Sequence, residues 1–409
     1  MHFDEVQPIV DTLAARLGRS VAVDDPSIRL IAASRHFGDE DAVRVRSVLD
    51  REVSKDIHDW VMAQGVATWT EPTHMAPCPD LGISTRVCAP VRCNTLLLGY
   101  LWLIDDAREI GADDLRATAE AADAVGLVLY RRMLLRERER SHEESVLRML
   151  ISPEREDRRH AIADLVNEDI LANPGHMAVL VLEIDTPPGG DDTLAMEASI
   201  EHLRRTMPAR SMLTVVQQRR AILVLAGARP HTDLRLRAAA ELLRERVAKA
   251  VNRSGGCAVG ISVSHPRLEA VVDCHREAVT AVRAARLLPV FGEIASWATL
   301  GPFGLLLRID FDELAAELPF PGLKELLGDP AHAMLVETAE EFLDRAGDVN
   351  DTAQALHVHR TTLYHRLKRA ESVSGLSLSN GLDRLTLHLA LKLSRLASAH
   401  RTRSATQSG

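Results

Sequence analysis

The chain has 409 residues, 46% of them hydrophobic and 26% charged, so it can bury several cores and is not a disordered chain. A formal net charge of −9 excludes a nucleic-acid coat protein. The charge is uneven, however: from Asn350 onward nine Lys/Arg stand against three acids, a segment of +6 following 349 residues that carry −15. Such a distribution fits an acidic body with one module that touches phosphate.

The first eighteen residues, MHFDEVQPIVDTLAARLG, are acidic and amphipathic and lack the basic start and apolar run of a secretory signal. No stretch reaches the roughly 18 consecutive apolar residues that a membrane-spanning helix needs. Five scattered cysteines, Cys78, Cys88, Cys93, Cys257 and Cys274, read as reduced thiols. The expectation is a cytoplasmic protein with no membrane partner, for which the Asn252-Arg253-Ser254 sequon has no meaning.

Residues 1–110 alternate helical and strand patterns. A helix is predicted from Val6 to Leu17, strands at Ser20–Val23 and Arg29–Ser34, and helical stretches through Val48 and Val61. Two apolar strands, Arg86–Val91 and Leu96–Asp105, then flank a polar Arg92–Thr95 turn, which is a hairpin signal. The run APVRCNTLLLGYLWL resembles a GAF domain. That resemblance implies a central antiparallel sheet with a small-molecule pocket between the sheet and its covering helices, of unknown ligand.

Residues 111–152 form one helix without proline, ended by Pro153. Its apolar stripe, Leu115, Ala119, Ala122, Val125 and Leu129, is broken by RERERSHEES. Two readings stand: a solvated helix capping the first domain, or a parallel dimer helix that couples sensor to output.

From 160 to 300 the order is β-α-β-β-α-β-α: strand Met177–Ile184, a helix through Leu203, paired strands MLTVV and AILVLA, a helix to Val251, strand CAVGISV, and a helix from Leu268 to Leu287. The order is ferredoxin-like, and VGISVSHPRLEAVVDCHREAVTAVRAA resembles the degenerate GGDEF-like domain of PucR/CdaR-type bacterial regulators. A working cyclase needs glycines for close backbone approach to the nucleotide, and an acid for the metal, in the turn between its paired strands. Here that turn is Gln217-Gln218-Arg219-Arg220. Asp185 could be a remnant metal ligand, and Gly189-Gly190-Asp191, beside Pro187 and Pro188, lies after the first strand instead of in the hairpin. No P-loop, G-x-G-x-x-G, H-E-x-x-H or G-x-S-x-G occurs. No catalytic residue, cofactor or metal site is expected; the competing class is a nucleotide-signalling enzyme or nucleotide sensor. Cys88 and Cys93 read as packing residues, with a redox sensor as the lesser alternative.

Residues 320–400 read as an all-α domain. Leu335, Ala339, Phe342 and Leu343 make a helical stripe that Gly347 stops. Asn350–Ala370 then reads as two short helices and a turn, with Val349, Ala353, Leu356, Val358, Leu363 and Leu367 on the inner faces. Burying Leu363 and Leu367 turns Thr361, His365 and Lys368 outward, with Arg360, Tyr364, Arg366 and Arg369 on the flanks, as a major groove requires. Gly375 ends the second helix, and LDRLTLHLALKLSRLA forms another. His357 occupies the turn position often held by glycine and must take a strained or left-handed-like turn conformation. His357, His359 and His365 have no cysteine nearby and read as groove or phosphate donors, not metal ligands.

The core VHRTTLYHRLKR with the trailing DRLTLHLALKL resembles the C-terminal helix-turn-helix of PucR/CdaR regulators and, more loosely, a Fis-type motif. The resemblance implies base reading chiefly by Arg360, Thr361, Tyr364 and His365, with Thr362 beside them, and phosphate neutralisation by Arg366, Lys368 and Arg369. The whole chain is thus expected to be multidomain α+β, with a GAF-like sensor, a coupling helix, a GGDEF-like middle domain and a DNA-binding end. Its expected partners are double-stranded DNA, a second copy of the chain, an unknown small effector, and RNA polymerase. One short reading helix makes few base contacts, so paired half-sites favour a homodimer.

Overall fold

The computed structural model describes residues 5–184, 190–251, 256–309 and 321–408. Asp185, Pro187, Pro188, Gly189 and the Asn252-Arg253-Ser254 triplet lie outside that set. The architecture is multidomain α+β, divided into two units, Met1–Ser141 and His142–Gly409.

The first unit contains α1 (Val6–Leu17), β1 (Val21–Asp24), β2 (Leu30–Ala33), α2 (Ala42–Asp50), α3 (Lys55–Ala63), β3 (Thr73–Met75), β4 (Arg86–Cys93) and β5 (Leu96–Ile104). Its antiparallel sheet has the order β2-β1-β5-β4-β3. Strands β1, β4 and β5 are buried over most of their length because helices cover both faces of the sheet. Val21, Val23, Val87, Ala89, Leu101 and Leu103 share one face with Val6, Val10 and Leu13 of α1. The other face carries Cys88, Tyr100 and Trp102 and is closed by Val43 of α2 and Val61 of α3. The expected hairpin turn narrows to Asn94-Thr95, with φ of 48° and 69°. Two left-handed residues make the tight turn that suits the right-handed twist of the strands.

Helix α4 (Ala112–Leu150) is continuous over 39 residues, as expected. Ala117, Ala122 and Val125 complete the first core, while Val146, Leu147 and Leu150 belong to a core of the second unit. Pro153 ends the helix, and the charged stretch after it, for which the sequence predicts no element before His160, forms α5 (Arg155–Asn167), which adds Ala161 and Leu165 to that same core.

The second unit continues with β6 (His176–Ile184), α6 (Gly190–Thr206), β7 (Met212–Gln217), β8 (Arg220–Gly227), α7 (Asp233–Ala250), β9 (Cys257–Ile261), β10 (His265–Pro266), α8 (Val271–Leu287), β11 (Ile294–Ser296) and α9 (Phe303–Leu306). The sheet path is β11-β9-β6-β8-β7, with β10 beside β6. Central strand β6 alternates between two cores. Val179 and Val181 meet α8 through Cys274 and Ala278, while Leu180 and Leu182 meet α6 and α7 through Met196, Ile200, Ala240 and Leu243. Helices α10 (Pro321–Gly328), α11 (Ala333–Asp344), α12 (Val349–Ala355), α13 (Arg360–Ser374) and α14 (Gly381–Ser408) follow. No helix among the described residues is long and apolar enough to cross a membrane.

Candidate nucleic-acid interface

Local rules set the geometry of α12 and α13. Asp348 caps α12 by accepting the backbone N–H of Asn350 at 2.7 Å and of Asp351 at 2.9 Å, and these donors hold its carboxyl below the usual range. The helix ends at His357, whose φ is +52°. His357 N–H donates to Gln354 O at 3.2 Å, and Val358 N–H to Ala353 O at 3.0 Å. This pair of bonds is a Schellman closure, here built on histidine in place of glycine. Two residues later His359, in extended backbone, caps α13: its Nδ1 accepts the Thr361 N–H at 3.4 Å and lies 2.9 Å from the Thr361 hydroxyl. Two of the three clustered histidines are therefore spent on the turn itself.

Ala353, Leu363 and Leu367 are buried against one another with Phe342, Val349, Leu356 and Val358 around them. A second cluster, Ala339, Leu343, Ala370, Leu387, Ala390 and Leu391, with Leu323 and Leu326, ties α13 to α10, α11 and α14. Gly375 ends α13 in the left-handed region at φ +72°.

With Leu363 and Leu367 inward, Arg360, Thr361, Thr362, Tyr364, His365, Lys368 and Arg369 are exposed together on the outer side of α13. Arg366 differs. It is half-buried, and its Nη1 lies 3.5 Å from Thr338 Oγ1 of α11, so the helix bundle claims part of its bonding capacity. No described residue forms an ion pair with Lys368 or Arg369.

Three basic residues of α14 behave otherwise. Lys392 of α14 bonds Glu340 at 2.7 Å and Asp344 at 2.6 Å, Arg395 reaches Glu340 at 3.5 Å, and Arg384 lies over the Phe342 ring while donating to Ala346 O. Excess charge in the sequence thus overstates the charge available to a phosphate backbone. Only side-chain pairing separates the two groups, and no sequence pattern carried that signal.

In the middle domain the turn between β7 and β8 is Gln218-Arg219, with Gln218 at φ +28°. Arg219 Nε donates to Ile184 O at 3.2 Å. Buried Glu183, on β6, accepts Arg220 Nε at 2.8 Å and also Arg286 Nη1. Two guanidinium groups therefore neutralise the carboxylate at the strand end beside this turn, where a cation would otherwise be needed.

Residues 335–393 match the PucR C-terminal helix-turn-helix domain, and residues 171–284 match a GGDEF-like domain. The chain is 22% identical over 402 residues to the DNA-binding transcriptional activator AdeR of Bacillus subtilis strain 168, covering 96% of this chain and 93% of that protein. It is 20% identical over 407 residues to the proline-responsive transcriptional activator PutR of the same organism, covering 96% of this chain and 97% of that protein. A 98-residue segment is 31% identical to the purine catabolism regulatory protein, also of Bacillus subtilis, covering 22% of this chain and 18% of that protein.

Proposed function

We propose that this chain, a DNA-binding transcriptional regulator of the PucR type, binds duplex DNA in the cytoplasm as a homodimer through α13, under the control of a small molecule held in its first domain. The exposed outer side of α13 carries the reading. It sets hydroxyl, imidazole and guanidinium groups beside two cations that have no ion-pair partner among the described residues, whereas Arg384, Lys392 and Arg395 of α14 are engaged within the bundle. Arg360, Thr361, Thr362, Tyr364 and His365 meet base edges, and Lys368 and Arg369 meet phosphates. Arg366 contributes a weaker phosphate contact, since it is partly held by α11.

A homodimer is supported by α4, where Leu127 and Leu134, seven residues apart, and Leu135 are exposed at 64%, 49% and 51%. That seam suits a second copy of the same helix. The order β2-β1-β5-β4-β3, with helices on both faces, supports a GAF-like sensor over residues 1–110, and the order β9-β6-β8-β7 supports a ferredoxin-like middle domain. Without glycine or acid in its turn, and with Glu183 already neutralised, that middle domain acts without catalysis. An effector in the sensor would alter the spacing of two α13 helices, and so operator affinity and the response of RNA polymerase.

Mobility-shift titrations on genomic fragments selected by the protein test this. Lys368→Ala and Arg369→Ala should each weaken binding evenly across sequences and reduce the slope of log affinity against log salt by about one. Thr361→Ala and Tyr364→Ala should instead relax sequence preference. Unchanged slopes and unchanged preference would sink the assignment.

A further inference from the structure

Helix α14 carries more leucine than one core can bury, because apolar residues recur on every side of it. Leu387 and Leu391 enter the helix-turn-helix core, while Leu393 and Leu396 pack on α8. Leu385 and Leu389, four residues apart and so on one face, are in neither core and remain 55% and 36% exposed. They line a cavity of about 460 Å³. The rest of its apolar lining comes from the middle domain, through Leu288 and Val290 after α8 and Pro302, Phe303 and Leu306 at α9. Val290 is 75% exposed, which leaves that edge open to solvent.

The polar lining is confined to Asp344, His388, Lys392 and Arg395. On α14 the last three follow at intervals of four and three, a stripe beside the two leucines. His388 Nε2 lies 2.7 Å from Asp344 Oδ1, Lys392 Nζ donates to Glu340 at 2.7 Å and to Asp344 at 2.6 Å, and Arg395 Nη1 reaches Glu340 only at 3.5 Å. An ammonium offers three N–H donors and a guanidinium five. With two spent on Lys392 and one on Arg395, one and four remain without an acceptor among the described residues. The Arg395 side chain is also 57% exposed, so its head is free to turn toward a ligand.

We propose that this cavity binds a small monocarboxylic acid with an apolar body, of the medium-chain or arylalkanoic kind, its carboxylate on Arg395 and Lys392 and its body along Leu385, Leu389, Phe303 and Leu306. The volume lies within the range of roughly 300–1,000 Å³ in which small-molecule ligands are held. A cationic ligand meets Lys392 and Arg395, and a neutral apolar one leaves their donors unspent. A sugar or nucleotide would press its polar groups against leucine and phenylalanine, where they find no partner. An apolar acid alone matches both parts of the lining, with charge-assisted hydrogen bonds at one end and apolar burial at the other. Every lining residue lies in the second unit, so this site is independent of the sensor reading of the first domain.

Calorimetric titration of the full-length protein with octanoate, decanoate and 4-phenylbutyrate, each below its micellar concentration, tests it, with octan-1-ol and octylamine as matched probes that lack the anion. At least one acid should bind saturably, and the alcohol and the amine should bind at least about tenfold more weakly. Arg395→Gln should weaken the acid about tenfold and leave the alcohol unchanged. Val290→Asp, at the open edge, should weaken the acid by repulsion, and Leu389→Trp should fill the cavity and abolish binding. If Leu389→Trp does not fold, Val290→Asp and Arg395→Gln carry the same comparison. Under saturating acid, amide exchange should slow in Phe303–Leu306 and between Leu385 and Arg395, while residues 5–141 exchange as before. No saturable binding by any of the three acids, equal binding of octan-1-ol and octanoate, binding indifferent to Arg395→Gln and Val290→Asp, or unaltered exchange in those two segments would overturn the site.

Discussion

At Asp24 the fold holds a carboxyl where water is excluded, and burial raises its pKa to about 6 against the pull of Arg44 from α2, Arg86 from β4 and a hydrogen bond from the Trp102 indole, with Asp25 also close. An acid whose folded pKa exceeds its unfolded value binds more protons when folded. Its favourable contribution is complete below pH ~4 and is lost as pH rises through about 6. Asp24→Asn should therefore stabilise the first unit at pH 8 by up to about 3 kcal/mol, with the difference vanishing near pH 4. Trp60, Trp69 and Trp102 lie in this unit and only Trp297 lies outside it, so urea unfolding followed by tryptophan fluorescence reads the effect. Equal variant and parent curves at pH 8 would show that Asp24 carries no such cost. None of this was legible in the sequence, because Asp24 and Arg44 meet across the sheet face from elements that no local pattern links. His357 is the contrary case: its left-handed conformation followed from the turn alone.

Secondary elements were read best where one periodicity ran without competition. The bounds of α1 and α4 follow from Gly18 at one end and from the proline-free stretch before Pro153 at the other. The βαββαβ order was equally legible, since its strands are continuous apolar runs between amphipathic helices. By contrast α5 buries only Ala161 and Leu165 along 13 residues rich in charge, too sparse a stripe to announce a helix. The short strands β3, β10 and β11, of two or three residues, carry no pattern at all. How closely elements approach is also invisible in sequence until a glycine demands explanation. A Cβ on Gly260 of β9 would come 2.0 Å from Ala278 O and 2.3 Å from Val282 N, both in the backbone of α8. Gly260→Ala must push α8 off the sheet and should cost about 1–3 kcal/mol or more. Amide hydrogen exchange should report faster exchange along Val271–Leu287 while Arg360–Ser374 keeps its protection. Unaltered exchange in α8 would mean that the helix has room to move.

Across the second unit, the element that joins reading helix to middle domain is α14. Its early turns, through Leu387, Ala390 and Leu391, lie in the core of the helix-turn-helix bundle. Its later turns, through Leu393, Leu396 and Ala399, lie with Ala281, Ala284 and Leu287 of α8. One rigid helix shared by two cores transmits displacement because neither end can shift without breaking close packing. On the side of the helix away from that first core, Leu385 and Leu389 line a cavity of about 460 Å³ together with Leu288, Val290, Phe303 and Leu306. The anchoring is therefore concentrated in the last turns instead of spread along the helix. Leu396 is fully buried, and Leu396→Ala should cost about 2–5 kcal/mol. The loss should be confined to the α8–α14 contact. Exchange should quicken in the C-terminal half of α8 and in α14 beyond Lys392, while Val349–Ser374 and affinity for a selected DNA fragment stay as in the parent. If α12 and α13 lose protection together with α8, the bundle does not stand on its own core. In that case DNA reading and middle-domain packing form one cooperative body, and an effector signal would reach α13 by loosening that body instead of by moving it.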